Sequence, residues 1–408
     1  MSDLSITSAS PSGVYHADVT ASAARRLRQA GIATRRALYH ARCRCDTNCH
    51  NVIPSSSPGL AAEIHQGDMM SLHTFARRIG AAAAVMALGA GVAACSGSSA
   101  ENQGSHLVVG LGFVGTVENY GPYYASKEGL YRAAGLDVDV QPGGNTPPST
   151  LLTAHQIDVG VMDAPDVLHA NEQGANLVAI ATQFQMAPTA MTCRKDANIK
   201  TVADLKGHTL GLKSQEQSYL KMIMQTGKLE PSDFTVVPVG NADISPIIAG
   251  KVDCIFATYA IYDGQAIEAA GVPVSFISLA DLGLPAQGNV YVTTRQTLEK
   301  RRPDLIKWVK ATADAWATFI QDPTAAAHYM VDNAFAAGLD LNQQIYQAGK
   351  QVPYLRTEWT KSHGLLALNP SVWTQTSDDM ATFGMTTTVV DVAPLLNDLT
   401  TDAGTPRI

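Results

Sequence analysis

Residues 107–125, LVVGLGFVGTVENYGPYYA, hold the densest set of groups able to grip a small molecule. An apolar run empties into a turn-rich loop that carries Phe113, Asn119, Tyr120, Gly121, Pro122, Tyr123 and Tyr124. Aromatic rings stack on flat ligands, and an amide both donates and accepts hydrogen bonds, so the chemistry indicated is non-covalent recognition. The crevice beyond the carboxyl end of a strand in an open α/β sheet is where small molecules settle. The tyrosines also suit the first apolar turn of a core-facing helix, where most aromatics at helical spacing lie. Covalent chemistry has no comparable signature. There is no G-x-S-x-G, no H-E-x-x-H and no Walker sequence, and His155, His169 and His208 are scattered through or beside structural segments. The chain therefore reads as a non-enzyme with no cofactor and no metal.

The elements that must position this loop alternate in type, as a largely parallel sheet requires. Strand-like runs at 107–113, 136–141, 158–162 and 177–184 are separated by helical runs at 122–134, 148–155 and 165–174. The rhythm then restarts, with strands at 208–213, 234–239, 252–258 and 272–278 and helices between them. Amphipathic helices follow at 295–322, 323–334, 341–352 and 372–384. A chain of 408 residues with 46% hydrophobic and 16% charged residues has room for two or three domains and a sizeable core. Residues 1–94 hold nine arginines and no lysine against five acids, which leaves 20 basic and 31 acidic residues for the rest. So acidic a body argues against nucleic acid as partner.

Two N-terminal segments stand apart from this fold. Residues 69–94 read as a secretory signal: Arg77 and Arg78 precede an apolar run of 14 residues at 79–92, too short to span a membrane. The run ends in Val92-Ala93-Ala94-Cys95, which resembles the lipobox of bacterial lipoproteins, where the cysteine becomes the lipidated N-terminus. Residues 95–104 then form a polar tether. Residues 1–68 lie upstream of a signal that should come first, so translation is expected to start at Met69 or Met70, with 1–68 disordered or untranslated. Cys43, Cys45, Cys49 and His50 lack the paired half-sites of a zinc module. Cys193 and Cys254 are expected as buried free thiols, with a disulfide as the alternative in an exported protein.

The stretches GPYYASKEGLYRAAGLDVDVQPGG, DVGVMDAPDVLHANEQGANLVAIATQFQ, TVADLKGHTLGL and GKVDCIFATYAIY resemble the substrate-binding proteins of ABC importers, in the NMT1/THI5-like branch. The match runs in unbroken order from about residue 107 to 334. That resemblance implies the periplasmic-binding-protein type II fold, two α/β lobes joined by hinge strands and followed by C-terminal helices. The lobes would be 105–188 with 290–408, and 189–289, with crossings near 186–193 and 288–294. It also implies a small-molecule ligand, permease and ATPase partners, and a place on the extracytoplasmic face of the cell membrane. The ligand would be a thiamine-pyrimidine precursor or riboflavin. Alternatives are nitrate, taurine or an aliphatic sulfonate, a pyrimidine-precursor synthase of the THI5 type, and a sensory binding protein.

Under this fold, loops at the carboxyl ends of strands face the cleft. In the first lobe these carry Phe113, Asn119, Tyr120, the pair Gly143-Gly144 with Asn145, Asp163, Gln183 and Gln185. The glycines allow close backbone approach or simply make a turn. Asp163 either accepts from an aminated ring or caps the helix at Pro165. In the second lobe Ser214 and Gln215 open a helix whose N-terminus attracts acceptor-rich groups. Thr258, Tyr259 and Tyr262 follow a strand, with Tyr259 preferred for stacking and Asn241 and Asp243 as weaker choices. Lys213 is the one basic residue close to these loops, which ranks a neutral or cationic heterocycle above a small anion.

Overall fold

A computed structural model of the chain describes residues 105–213, 216–240 and 243–408. The signal segment, the lipobox Cys95, the tether, Ser214, Gln215 and Asn241 lie outside the described residues. Chain order runs β1 (Ser105–Gly110), α1 (Tyr120–Lys127), α2 (Leu130–Ala133), β2 (Leu136–Gln141), α3 (Pro148–Thr153), β3 (Val159–Met162), α4 (Ala164–Glu172) and β4 (Leu177–Phe184). A second series comprises β5 (Thr189–Arg194), β6 (Thr209–Lys213), α5 (Ser218–Gly227), β7 (Thr235–Val239), α6 (Ser245–Ile248), β8 (Cys254–Tyr259), α7 (Asp263–Ala269) and β9 (Val274–Ser278). Strand β10 (Gly288–Thr294) leads into α8 (Arg295–Gln321), α9 (Pro323–Asp332), α10 (Leu341–Leu355), α11 (Glu358–His363), α12 (Pro370–Phe383) and α13 (Thr400–Ala403).

These strands form two five-stranded sheets, in the orders β2-β1-β3-β10-β4 and β7-β6-β8-β5-β9. In the first, β1 pairs in parallel with β2 and β3, while β10 runs antiparallel between β3 and β4. In the second, β6 is parallel to β7 and β8, while β5 is antiparallel to β8 and β9. Strands β4 and β10 are buried at every residue, as strands covered on both faces must be. This is the type II periplasmic-binding-protein arrangement of two α/β lobes.

The chain passes between the sheets at 185–188 and at 279–287. Within the crossings expected near 186–193 and 288–294, residues 189–193 and 288–294 belong to strands of the two sheets. A strand with one antiparallel neighbour on each side has the same apolar pattern as a spanning segment, so composition does not separate the two. The helix expected over 122–134 is two helices, broken where Gly129 takes φ +76°, a left-handed turn that costs glycine nothing. Helix α8 kinks at Arg301, just before Pro303, whose ring removes a helical N–H.

Cys193 and Cys254 form a disulfide, contrary to the expected free thiols. They face each other in register on the neighbouring strands β5 and β8, which supplies the proximity that their separation in sequence hid. The C-terminal segment also does something no periodicity signals: it returns to cover the open edge of β4. Leu396 bridges Ala179, while the backbone N–H groups of Asn397 and Leu399 donate to Ala179 and Ile180. An exposed edge strand invites aggregation, and this cover removes it.

Candidate ligand site between the two sheets

The sheets present matching edges to each other. The carboxyl ends of β1, β3 and β4 and the start of the antiparallel β10 deliver the 111–119 loop, Asp163, Gln185 and Asn289 to one edge. The carboxyl ends of β6 and β8 deliver Lys213, Glu216 and Tyr259 to the other. Contact across the gap is direct: Gln343 on α10 donates to the backbone carbonyl of Tyr262 at 3.1 Å, and Tyr259 is close enough to Asp163 to pull its carboxyl downward.

Acidic side chains dominate this meeting place. Asp163 stands at the N-cap position of α4, yet its carboxylate makes no cap bond; Oδ1 accepts from the backbone N–H of Asn289 at 2.8 Å instead. Burial pushes its carboxyl up, and the hydrogen bonds from Asn289 and Tyr259 pull it back. Glu118, only 4% exposed, accepts from Asn289 Nδ2 at 2.9 Å and from Gln347 Nε2 at 3.4 Å. Desolvation, opposed by Asn289 and reinforced by Asp163 and Asp263, pushes its carboxyl up to about 7. Asp166 sits in the first turn of α4 and is open to solvent; the protein around it, then Asp163 and Glu216, shift its carboxyl upward. From the second lobe, Glu216 and Asp263 are raised by burial, and Lys213 lowers both. Among the described residues Lys213 is the one cation acting on this group, and its Nζ donates to the Ala257 carbonyl at 2.6 Å.

The structure separates the sequence-derived candidates into three kinds. Asp163, Tyr259 and Tyr262 come together at the inter-lobe contact. Gln183, Gln185, Asn119 and Thr258 lie close by but serve the framework. Gln183 Nε2 donates to the Glu118 carbonyl, Gln185 Nε2 to the Ala367 carbonyl, and Asn119 Nδ2 to the Val114 carbonyl. Thr258 is 1% exposed and bonds Thr192 Oγ1 and the Ala190 carbonyl. Gly143 also has a packing reason, because a Cβ there would lie 2.6 Å from backbone atoms of Gly112 and Phe113. Gly144 is exposed with nothing near its Cβ position. Phe113 is 46% exposed on the same loop, an apolar ring facing water at the end of β1. The Asp243 carboxylate accepts from the Ser245 N–H at 2.9 Å.

Tyr120 is the clear departure. It is 2% exposed and packed behind the first sheet against Tyr124, Phe319, Tyr329 and Trp316, with ring centroids 4.8, 5.6, 5.9 and 6.2 Å away. Once α1 begins at Tyr120, that ring belongs to the helix and turns toward α8 and α9. The residues the sequence reading missed are Glu118, Asp166, Asp263 and Asn289, while Glu216 lay inside the helix start 214–217 that it singled out. One signal for Glu118 was present: a lone acid inside an apolar, turn-rich loop.

Opposed strand ends with a polar contact between them make this a two-lobed α/β protein of the periplasmic-binding-protein fold. The chain belongs to the NMT1/THI5-like family, whose family model matches residues 117–326. It is 26% identical over 290 residues to the riboflavin-binding protein RibY of Chloroflexus aurantiacus, spanning 67% of this chain and 80% of that one. It is 22% identical over 227 residues to the formylaminopyrimidine-binding protein of Halalkalibacterium halodurans, spanning 55% of this chain and 69% of that one. In fold it resembles the alkanesulfonate-binding protein SsuA from Xanthomonas axonopodis pv. citri, solved bound to MOPS. There the TM-score is 0.54 at 16% identity, over 72% of this chain and 99% of that one.

Proposed function

We propose that this chain is the solute-binding lipoprotein of an ABC importer. Its two lobes, 105–188 with 290–408 and 189–289, would close over a flat heterocycle bearing N–H donors, of the aminopyrimidine or flavin kind. One observation carries this reading, the sign of the cleft. Glu118, Asp163 and Asp166 on one side meet Glu216 and Asp263 on the other, while Lys213 is already committed to a carbonyl. Carboxylates accept from the amino and imino groups of such rings, and Tyr259 beside them offers a stacking face. A sulfonate or nitrate brings only acceptors and would be repelled. The names of the two sequence relatives favour the same ligand class.

Capture is an equilibrium, with no bond made or broken: the closed form is selected because only closure contacts the ligand from both sides. The ligand would then pass to a permease pair and its ATPase. Cys95, lipidated after removal of 69–94, would hold the protein on the extracytoplasmic face of the membrane. Replacing Cys95 by serine should release the protein from the cell surface.

The test of the ligand class is a melting-temperature screen with riboflavin, aminopyrimidines, taurine, alkanesulfonates and nitrate. A ligand at a hundred times its dissociation constant stabilises the folded state by about 2.7 kcal/mol, a readily measured shift. A response to taurine or nitrate with none to any heterocycle would overturn the reading.

A further inference from the structure

One apolar side chain crosses from the second lobe into the first. Ile261 follows β8, yet it is 1% exposed and belongs to the hydrophobic cluster of the first lobe. Every other buried member of that cluster comes from 107–184 or 291–399. Tyr259, two residues earlier, packs against the same cluster while still partly exposed.

The turn that presents both residues is held from its own side. The Asp263 carboxylate accepts from the Tyr259 N–H at 2.8 Å, and the Tyr262 N–H donates to the Tyr259 carbonyl at 2.9 Å. The Ala260 N–H donates to the carbonyl of Pro188, on the chain crossing, at 3.0 Å. From the far side, Gln343 on α10 donates to the carbonyl of Tyr262, the residue next to Ile261. An isoleucine on so stiff a turn, seated in the other lobe's core, leaves that seat when the lobes part. Opening puts its side chain into water and gives the Gln343 amide back to solvent.

From this we infer that Ile261 is a positioning residue for ligand capture: it clasps the lobes together before any ligand arrives and sets Tyr259 in place at the cleft. The inference rests on the two-lobe closure of the reading above, and not on which ligand is bound. Burying one isoleucine side chain favours the buried state by a factor of about ten to a hundred. A ligand that binds only the closed form binds more weakly in proportion to how rarely that form is populated. The clasp therefore raises affinity without touching the ligand. The polar groups of the cleft choose among ligands, whereas Ile261 acts equally on all of them.

The experiment is small-angle scattering of the full chain without ligand, comparing the parent with Ile261→Asp and Ile261→Val. A carboxylate is excluded from an apolar cluster but tolerated on an exposed turn. Ile261→Asp should therefore still unfold cooperatively, with a larger radius of gyration than the parent, while Ile261→Val should scatter as the parent does. Riboflavin and an aminopyrimidine methanol are then titrated calorimetrically. Whichever of them the parent binds should lose about tenfold or more in affinity in Ile261→Asp, and less than about threefold in Ile261→Val. An Ile261→Asp chain that fails to fold would place Ile261 in the permanent core and overturn the inference. So would a folded variant that keeps the parent's radius or its affinity. If neither compound binds the parent, the heterocycle reading fails, and the scattering still decides the clasp.

Discussion

Two groups of aromatic residues lie on opposite sides of the first sheet's working edge, and their surroundings differ more than their composition. Behind the sheet, Tyr120, Tyr124, Trp316, Phe319 and Tyr329 pack on one another, and Trp316 Nε1 donates to the Tyr291 hydroxyl at 3.1 Å. At the cleft, Tyr259 stands beside Asp163, whereas Tyr219 packs on Phe256 with ring centroids 5.1 Å apart. Rings whose neighbours are rings hold a helix to a sheet. Rings whose neighbours are carboxylates are placed to hold something else. The comparison turns on a single helical step: Glu118 faces the cleft amides, and two residues later Tyr120 faces the core.

The largest effect that would sharpen this contrast is on the core side. Trp316 is fully buried, and its ring lies 2.3 Å from where a Cβ on Gly121 would stand, so helix α1 is seated directly on it. Trp316→Ala should cost about 3–5 kcal/mol in denaturant unfolding. If the same change altered which ligands bind while leaving stability intact, the division into core and cleft would be broken.

Next in size is a pH effect at Glu118. Its carboxyl sits at about 7 against an ordinary 4.5, so the folded state holds the proton more tightly than the unfolded chain does. The sign follows from linkage: this contribution is fully present below about pH 4.5 and is lost as pH rises through about 7, on the order of 3 kcal/mol in all. Melting temperature of the ligand-free protein should therefore fall across that window. In Glu118→Gln the fall should flatten. The new amide keeps an acceptor for Asn289, and its N–H pairs with Gln347 once that amide turns over to present Oε1 in place of Nε2. An unchanged slope in the variant would show that another group controls it.

Much of this architecture was readable in the residues. The intervals 136–141 and 177–184 coincide with β2 and β4, because each is an apolar or alternating run closed by a turn. What could not be read is whatever depends on partners remote in sequence. Strand β5 needs β8 and β9 on its flanks to be told from a linker, and the Cys193–Cys254 pairing exists only in that register. The tail's return to β4 is held by backbone hydrogen bonds, which leave no trace in side-chain pattern. At the site, Tyr259 stood out as an aromatic following a strand, whereas the acids were hidden. Asp166 and Glu216 look like ordinary acids at helix starts, and only the fold puts Asp166 within reach of the charge on Glu216. The dense tyrosines at 120–124 pointed the wrong way for the opposite reason: aromatic spacing of three and four along a helix mostly signals core.

Smaller effects test the cleft side. Tyr259→Ala should weaken the heterocycle by about ten- to thirtyfold, in line with loss of a stacked ring worth about 0.5–1.5 kcal/mol beyond its burial. Titration calorimetry would measure it, and Tyr259→Phe should recover most of the loss if stacking rather than the hydroxyl contact with Asp163 matters more.

The smallest expected change is the most discriminating, because it asks whether an exposed ring belongs to the site at all. Phe113 is 46% exposed, and the loop beneath it is fixed by backbone and amide bonds that do not involve its side chain: Gly143 N–H to the Phe113 carbonyl at 2.8 Å and Asn119 Nδ2 to the Val114 carbonyl at 3.0 Å. Phe113→Ser should therefore shift unfolding free energy by no more than about 0.5 kcal/mol. A ring that a ligand covers loses that contact on substitution, so affinity should fall by about threefold to tenfold while stability stays put. A variant that binds as tightly as the parent would assign Phe113 to neither aromatic group, and would confine the cleft's stacking surface to the second lobe.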